Sequence, residues 1–326
     1  MKEFADFKAM IDNCYNRYKS KCAITIKGEY RRNINYFNYK FDIYSLSRAL
    51  KNKENLIKEN KIAILSENRY EFLVTYLANA LLKNTVIIID NNLSKNAIEK
   101  IIKKQKINTI FFSNKNKDKI VEIYKLNSNT KKRNKKNIMN LINYDQTNQF
   151  PFIEYEKLIN FGRYIENYST DNKIEQADQN DKPQKTIIVN KNFTQECSEE
   201  GILEKAYKLG KNLKMKRTRK MQNISQINTF CTMVAMIILP IMYGLNIVYG
   251  DEQECLDNIR IEQEEFNEAN IEYRNNKYKI ENINSQISIS KIEEKNIQKI
   301  RKESSKITLV RNNKGNQNKK REEIVV

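Results

Sequence analysis

The stretch "KIAILSENRYEFLVTYLANALLKNTVIIID", residues 61–90, decides the fold of this chain. Lys61 to Leu65 and Thr85 to Ile89 are short apolar runs with the length and β-branched content of buried parallel strands. Between them, Tyr70 to Leu82 carries apolar residues at helical spacing. The stretch therefore predicts a βαβ unit, whose crossover is right-handed in nearly all proteins.

The start of the central helix carries a capping pattern. Asn68 is predicted to cap the helix, with Glu71 three residues later reaching back to the Asn68 amide. A second cap is predicted at Ser94, before a helix through Lys104 that contains Ile98, Ile101 and Ile102.

The same alternation of helices and strands extends on both sides of this unit. Upstream, the periodicity predicts a helix over Phe7 to Tyr18, two strands about a turn at Gly28-Glu29, and a helix within 42–57. Downstream of Lys104 it predicts a strand at 107–113, a helix at 119–126, a strand at 137–144 and a helix at 153–168. The fold class predicted is α/β: an open, mostly parallel sheet flanked by helices.

Several kinds of catalytic and metal site are excluded by composition. The chain has no histidine, which removes Ser-His-Asp and Cys-His catalysis and imidazole ligands. Its seven glycines form neither a Walker A loop nor G-x-G-x-x-G. The five cysteines are scattered and form no C-x-x-C pair: Cys14, Cys22, Cys197, Cys231 and Cys255. The N-terminus lacks the apolar core of a signal peptide. We therefore expect no metal site and a cytoplasmic protein.

The chain is strongly basic, with a formal net charge of +19. Residues 94–136 hold 14 lysines and arginines against three acidic residues. Such a segment fits a nucleic-acid face or a solvated lysine surface. No aromatic stacking platform or groove-reading motif accompanies it, which favours the solvated surface and argues against a nucleic-acid partner.

Residues 7–113 resemble the N-terminal part of the AMP-forming acyl-CoA synthetases, especially the long-chain type. The resemblance is carried by "IAILSENRYEFLVTYLANALLKNTVIIIDNNLSKNAIEKII", and within it by Ser66 to Phe72, where the family has a strand leading into an E-N-R-Y-E-W-like helix start. It implies a partial N-terminal domain of an adenylate-forming enzyme. Enzymes of this family join a fatty acid to AMP and then to coenzyme A.

The resemblance also implies where the family's phosphate loop, T-S-G-T-T-G-x-P-K-G, would lie. The segment "KPQKTIIVNKNF", 182–193, is similar to the second half of that loop and the strand after it, Thr186 to Val189. The loop positions then hold Gln176, Ala177, Asp178, Gln179, Asn180, Asp181, Pro183, Gln184 and Lys185. Within the loop only the proline is retained. The first two glycines are replaced by Asp178 and Asp181, the lysine by Gln184 and the last glycine by Lys185.

These replacements reverse the chemistry of the loop. Glycine amides and a lysine attract a triphosphate, whereas Asp178 and Asp181 repel it. Like charges a few ångströms apart cost about 1–4 kcal/mol per pair at effective dielectrics of 20–80. We therefore expect no catalytic residue and no cofactor; ATP, Mg²⁺ and CoA would bind only if the family activity survives.

A second similarity lies at 228–259, where the family has a helix, a P-L-Y-x-G turn and a strand. Pro240, Tyr243, Gly244 and Ile247 to Tyr249 match in order. The same stretch has the length of a transmembrane helix, so membrane association through 228–250 is the alternative to a buried helix–turn–strand. Pro240 and Gly244 interrupt the apolar run at the family's turn, which favours the buried form.

The predicted domain is 1–259, degenerate from about 127, followed by a polar tail, 260–326. Apolar residues recur every seven residues from Ile259 to Ile287, but the partner positions are polar. A frayed helix or disordered arm is therefore favoured over a pairing helix.

Three functions follow from these observations. The favoured one is a truncated, inactive relative of the fatty acid–CoA ligases, which could have a full-length or complementary synthetase chain as its partner. The second is an active acyl-adenylating enzyme or one subunit of a split enzyme. The third is a basic protein that binds nucleic acid or a membrane surface. Fold resemblance alone does not choose among them, because function depends on the site.

Overall fold

The unit predicted from residues 61–90 is present and forms the centre of a sheet. The computed structural model describes residues 4–27, 31–53, 56, 61–129, 140–145, 151–168, 184–212, 219–222, 226–249, 259–261, 307–311 and 324–325. Its helices are α1 (Phe7–Tyr18), α2 (Tyr36–Asn52), α3 (Tyr70–Leu81), α4 (Lys95–Gln105), α5 (Lys117–Asn129), α6 (Tyr155–Tyr168), α7 (Glu199–Asn212), α8 (Phe230–Met233) and α9 (Leu239–Tyr243). A π-helical turn, Val234–Ile238, joins α8 to α9.

The strands follow the same chain order. They are β1 (Cys22–Ile26), β2 (Arg32–Asn35), β3 (Lys61–Leu65), β4 (Thr85–Ile89), β5 (Thr109–Phe112), β6 (Asn140–Asn143), β7 (Phe152–Glu154), β8 (Lys185–Val189), β9 (Thr194–Ser198), β10 (Arg219–Gln222), β11 (Asn246–Tyr249), β12 (Ile259–Ile261), β13 (Ile307–Arg311) and β14 (Ile324–Val325).

These strands form two sheets. The central sheet has the order β7-β6-β5-β3-β4-β8-β9 and is parallel except for the β8–β9 pair. The second sheet has the order β12-β13-β14-β10-β11-β1-β2. In it β1 runs parallel to β11 and antiparallel to β2. The mostly parallel α/β sheet predicted from the sequence is thus confirmed.

One large core joins the two sheets. Ile64 of β3, Ile24 of β1, Leu73 of α3 and Val234 of the π-helical turn all belong to it, each fully buried. Because side chains alternate along a strand, the next residue of β3, Leu65, faces a second core on the other side of the central sheet. Helices α4 and α5 cover that outer face. Helix α3, buried around most of its circumference, therefore lies between the sheets.

The helix layer between the sheets depends on a close approach of α2 and α6. A Cβ added at Gly162 of α6 would clash with the Ser45 carbonyl oxygen of α2. Arg163 beside it bridges to Asp42 of α2 at 2.6 Å. Because Gly162 has no side chain, α6 can pack closely against α2.

Most of the predicted elements are confirmed, including the Ser94 cap, whose hydroxyl accepts from the Ala97 amide. The prediction that Asn68 caps α3 is wrong. The N-cap residue of α3 is Arg69, and its side chain makes no capping hydrogen bond. Asn68 Oδ1 instead accepts from the Ile227 amide at 2.9 Å, a partner 159 residues away. The turn predicted at Gly28-Glu29 lies outside the described residues.

The stretch from 228 to 249 is a buried helix–turn–strand, as predicted. Helix α9 ends at Tyr243 and is capped by Gly244, whose φ of 63° is left-handed and therefore suits glycine. Strand β11 follows directly. Pro240 lies at the start of α9, directly after the π-helical turn. Among the described residues, no helix is both apolar enough and long enough to cross a bilayer.

For the tail, 260–326, the structure describes only short strands. Strands β12, β13 and β14 pair with one another, and β13 and β14 also pair with β10. These described residues are extended rather than helical, in keeping with their β-branched content. The heptad positions from Phe266 to Ile287 lie outside the described residues, and the boundary at 259 stays a prediction.

Candidate functional site

Polar side chains gather at the carboxyl edge of the central sheet. Helix α3 leaves β3 on one face, whereas α4 leaves the adjacent strand β4 on the other. Ligands of open α/β sheets bind at such a switch point. The residues that follow the parallel strands here are Ser66 to Arg69, Asp90 to Asn92, Ser113 to Asn116, Tyr144, Asp145 and Asn190.

Arg69 is the hub of this edge. Its Nε lies 2.6 Å from Glu71 Oε2, and its Nη1 lies 2.8 Å from Asp145 Oδ1 and 3.7 Å from Glu67 Oε1. The second oxygen of Glu67 accepts a hydrogen bond from the Ser113 hydroxyl at 2.6 Å. The hub thus ties the loops after β3, β5 and β6 together.

The charges of this hub do not cancel. Three carboxylates surround one guanidinium, which also lies 5.5 Å above the Tyr144 ring. Burial acts to lower the pKa of Arg69, but Glu71 and Asp145 outweigh it, so that the pKa of Arg69 is raised and its charge is secured. Burial also raises the pKa of Tyr144. With three carboxylates and one guanidinium, the Arg69 hub is net acidic and does not itself suit an anion.

Amide side chains close the rest of the edge. Asn116 Nδ2 donates to the Leu65 carbonyl at 3.2 Å and to Asn91 Oδ1 at 3.0 Å. Lys119 Nζ donates to the carbonyls of Asn91 and Leu93. A lysine bound to two backbone carbonyls acts as a tie between α5 and the loop after β4. Its ammonium group is already occupied by these oxygen atoms.

The segment that leads into α8 is fixed to the same edge. Besides the bond from Ile227 to Asn68, Asn190 Nδ2 donates to the Asn228 carbonyl at 3.1 Å and Asn92 Nδ2 contacts Gln226 Oε1 at 3.4 Å. Three loops of the sheet thus meet one segment of the chain. Among the described residues, groups of three or more carboxylates and thiols arranged to hold a metal ion are absent. The described polar side chains at this edge form hydrogen bonds that connect the loops to one another and to the segment before α8.

The predicted loop residues lie mostly outside the described part of the chain. Gln176 to Asp181 and Pro183 fall there, so their proposed chemistry stays a prediction. Gln184 and Lys185 are described and stand at the amino end of β8, opposite the carboxyl edge. The structure therefore does not bring these two positions together with the Arg69 hub.

Gln184, which the resemblance assigns to the position of the family's lysine, is fully buried. Its amide donates to the Lys185 carbonyl at 3.1 Å and to Thr186 Oγ1 at 3.2 Å. Thr186 Oγ1 in turn lies 2.9 Å from the Tyr76 hydroxyl of α3, and burial raises the pKa of Tyr76. The Gln184 side chain is thus turned into the protein, toward α3. Lys185 points outward and pairs with Glu196 at 2.7 Å.

Sequence reasoning missed the anchor beside Gln184. Glu199, at the start of α7, accepts from the Phe7 amide at 2.6 Å and from Lys83 Nζ at 2.7 Å, while its own amide donates to the Gln184 carbonyl. An acidic residue in the first turn of a helix was a visible signal for a role at this terminus. The two partners of its carboxylate, Phe7 and Lys83, are more than a hundred residues away and could not be identified from the sequence.

Comparisons with known proteins agree with this geometry. The family model described as AMP-binding enzyme matches residues 11–190. No curated protein matches the sequence at a significant level. Solved structures share the fold at low identity.

Three of these solved structures show the kinds of enzyme that share the fold. A long-chain-fatty-acid-CoA ligase from Archaeoglobus fulgidus has a TM-score of 0.60 at 11% identity, over 84% of this chain and 51% of that one. The O-succinylbenzoate coenzyme A synthetase of Bacillus subtilis, solved with AMP, has a TM-score of 0.53 at 13% identity, over 74% and 44%. A luciferase-like enzyme of the mealworm Zophobas morio has a TM-score of 0.56 at 13% identity, over 84% and 58%.

At these identities the likeness establishes the fold. The match covers about half the length of each solved relative.

Proposed function

This chain belongs to the AMP-binding enzyme family, the adenylate-forming ligases, and we propose that it is a member that no longer makes acyl adenylates. The observation that carries the proposal is the side chain of Gln184. The sequence resemblance assigns it to the position of the phosphate-loop lysine, and the side chain is buried and hydrogen-bonded to its own strand. A neutral amide turned inward offers no charge to a triphosphate.

The rest of the loop supports the same conclusion. Asp178 and Asp181 stand at the family's glycine positions, so two carboxylates replace two points of close backbone approach. Each charged hydrogen bond to phosphate that is lost weakens binding by about 1.5–3 kcal/mol. Together with the repulsion from two carboxylates, this is enough to reduce millimolar or micromolar ATP binding to none that is measurable.

Two measurements on the purified chain test this proposal. We expect isothermal titration with ATP and Mg²⁺ to give no heat of binding. We also expect no acyl-AMP when fatty acids and ATP are added. Micromolar ATP binding, or acyl-AMP in amounts above those of a mock purification, would overturn the proposal.

A matched pair of variants locates the cause. Asp178→Asn with Asp181→Asn removes the two carboxylates from the loop. Asp118→Asn with Glu122→Gln removes two exposed carboxylates from α5 and changes the net charge by the same amount. If the loop repels the nucleotide, only the first pair raises ATP affinity. An equal rise in both pairs would mean that net charge alone acts.

A further inference from the structure

The basic charge of this chain is concentrated in one segment. Residues 94–136 carry an excess of 11 positive charges, from 14 basic and three acidic residues, out of a net +19 for all 326 residues. The segment contains α4, β5 and α5 and ends in the run "KKRNKK", 131–136. Most of the chain's electrostatic attraction for an anionic partner therefore originates here.

The structure places the described lysines of this segment on one layer. Helices α4 and α5 contact each other, and their apolar sides, among them Ile98 and Ile120, pack on the outer face of the central sheet. The opposite sides face solvent and carry Lys100, Lys103 and Lys104 of α4 and Lys125 of α5, all exposed. Two further exposed lysines flank the helices: Lys106 directly follows α4, and Lys115 lies in the turn before α5. We name these six residues the lysine surface.

Part of this charge is uncompensated. Lys103 pairs with Glu99 on its own helix, and Lys95 pairs with Glu122 across the two helices. In contrast, Lys100, Lys104 and Lys115 form no ion pair with any described residue. Ion pairs between described residues therefore leave a positive surface exposed to solvent.

We propose that the lysine surface docks the protein onto an anionic lipid bilayer. A bilayer is a flat, continuous array of negative headgroups, and it attracts clustered lysines with about 1 kcal/mol for each lysine near the surface. The association is peripheral, because it uses ammonium groups on helix sides rather than a membrane span. Apart from Lys115, which follows β5, it uses residues away from the carboxyl edge of the sheet, and it does not depend on whether ATP binds.

Lipid fits this surface better than nucleic acid. All nine cations of residues 95–125 are lysines, which act as point charges, whereas nucleic-acid recognition makes wide use of the arginine fork. Bases of single strands also stack on exposed rings. The large exposed hydrophobic side chains of the described residues, Phe37, Phe161 and Tyr164, lie on α2 and α6 and not on α4 or α5.

Sedimentation with vesicles tests the proposal. The probes are vesicles of phosphatidylcholine alone and of phosphatidylcholine with 30% phosphatidylserine, at low and high salt, with a DNA duplex as a competing polyanion. We expect binding to the anionic vesicles only, and its loss at 0.5 M salt, where exposed charges are screened within a few ångströms.

Two variants of equal net charge show whether location matters. Lys100→Gln with Lys104→Gln and Lys115→Gln removes three cations from the lysine surface. Lys8→Gln with Lys157→Gln and Lys191→Gln removes three exposed cations elsewhere. At low salt we expect about 100-fold weaker vesicle binding for the first variant and less than threefold for the second. Far-UV circular dichroism checks that both are folded.

Three results would contradict the proposal that the lysine surface docks onto an anionic bilayer. Equal weakening in both variants would mean that net charge, not this surface, attracts the bilayer. Absent binding of the unmodified chain to anionic vesicles, or displacement from them by low concentrations of DNA, would also overturn the proposal; in the last case nucleic acid would be the better partner.

Discussion

At the scale of single residues, Asp12 shows how the helix layer is held at its surface. Its carboxylate accepts from Lys40 at 2.7 Å and from the Tyr44 hydroxyl at 2.8 Å, both on α2, and from Lys8 at 3.0 Å on its own helix. Burial acts to raise the pKa of Asp12, but the hydrogen bonds from these three groups outweigh it. The pKa of Asp12 therefore lies below its usual value.

This lowered pKa predicts a pH dependence. A carboxyl whose pKa is lower in the folded protein stabilises it above its unfolded pKa, about 3.9, and loses that contribution as the pH falls through the folded value. Asp12→Asn should therefore lower the free energy of unfolding by about 1 kcal/mol at pH 6 and by progressively less below pH 4. Urea titrations at several pH values measure this difference. Asp118→Asn, at an exposed site, is the control, and an Asp12→Asn effect that does not change with pH would contradict the prediction.

Gly162 is the residue on which the α2–α6 contact depends. A methyl group there meets the Ser45 carbonyl, which is backbone and cannot rotate away. We expect Gly162→Ala to lower the free energy of unfolding by about 1–3 kcal/mol, although alanine favours helix by about 1 kcal/mol. Lys157→Ala, at an exposed site on the same helix, is the matched control. Urea unfolding that finds Gly162→Ala as stable as the parent would show that α6 can shift without loss.

At the scale of elements, the loops at the carboxyl edge are joined through one cation. Arg69 holds Glu67, Glu71 and Asp145, whose side chains are each 21–30% exposed. Removing the cation leaves three neighbouring carboxylates that repel one another without the Arg69 charge between them, and partial exposure to water limits the cost. The effect is therefore smaller than the 3–5 kcal/mol typical of a broken buried pair.

A double-mutant cycle tests this hub. Arg69→Met should lower the free energy of unfolding by about 2 kcal/mol. Adding Asp145→Asn to Arg69→Met should restore part of the loss, because it removes one of the repelling carboxylates. In the parent, Asp145→Asn alone should be destabilising. Additive effects in the cycle would show that the two side chains are not coupled.

The elements differ in how far the sequence could predict them. Strands β3, β4 and β5 and helices α1, α3 and α4 have a strong apolar period of their own, so local pattern was sufficient. The sequence did not indicate β7, a three-residue strand that exists through its pairing with β6, or β9, which is half exposed. Such strands are fixed by their neighbours rather than by their own residues.

The candidate site was less predictable than the fold, for the same reason. Resemblance placed Gln184 at the position of a phosphate-binding lysine, but only the structure shows its amide turned into the core. The Arg69–Asp145 pair spans 76 residues, and the Asn68–Ile227 bond spans 159. A local capping rule at Asn68 failed because this distant amide competes for the same oxygen.

At the scale of the whole molecule, both sheets share one core. Ile24 of the second sheet and Ile64 of the central sheet are each fully buried in it, with α3 packed between the sheets. A core that continues from one sheet to the other joins their stabilities, because neither sheet can separate without exposing the apolar face of the other. The described part of the chain should therefore unfold as one cooperative unit.

Alanine substitutions in each sheet test this cooperativity. Ile24→Ala and Ile64→Ala should each lower the free energy of unfolding by about 2–5 kcal/mol, and each should move the same transition. The chain has 18 tyrosines and no tryptophan, so tyrosine fluorescence reports tertiary packing while far-UV circular dichroism reports helix content. The two signals should coincide in urea for the parent and for both variants. If Ile24→Ala shifted only an early transition and Ile64→Ala only a late one, the two sheets would be separate folding units and the shared core would not couple them.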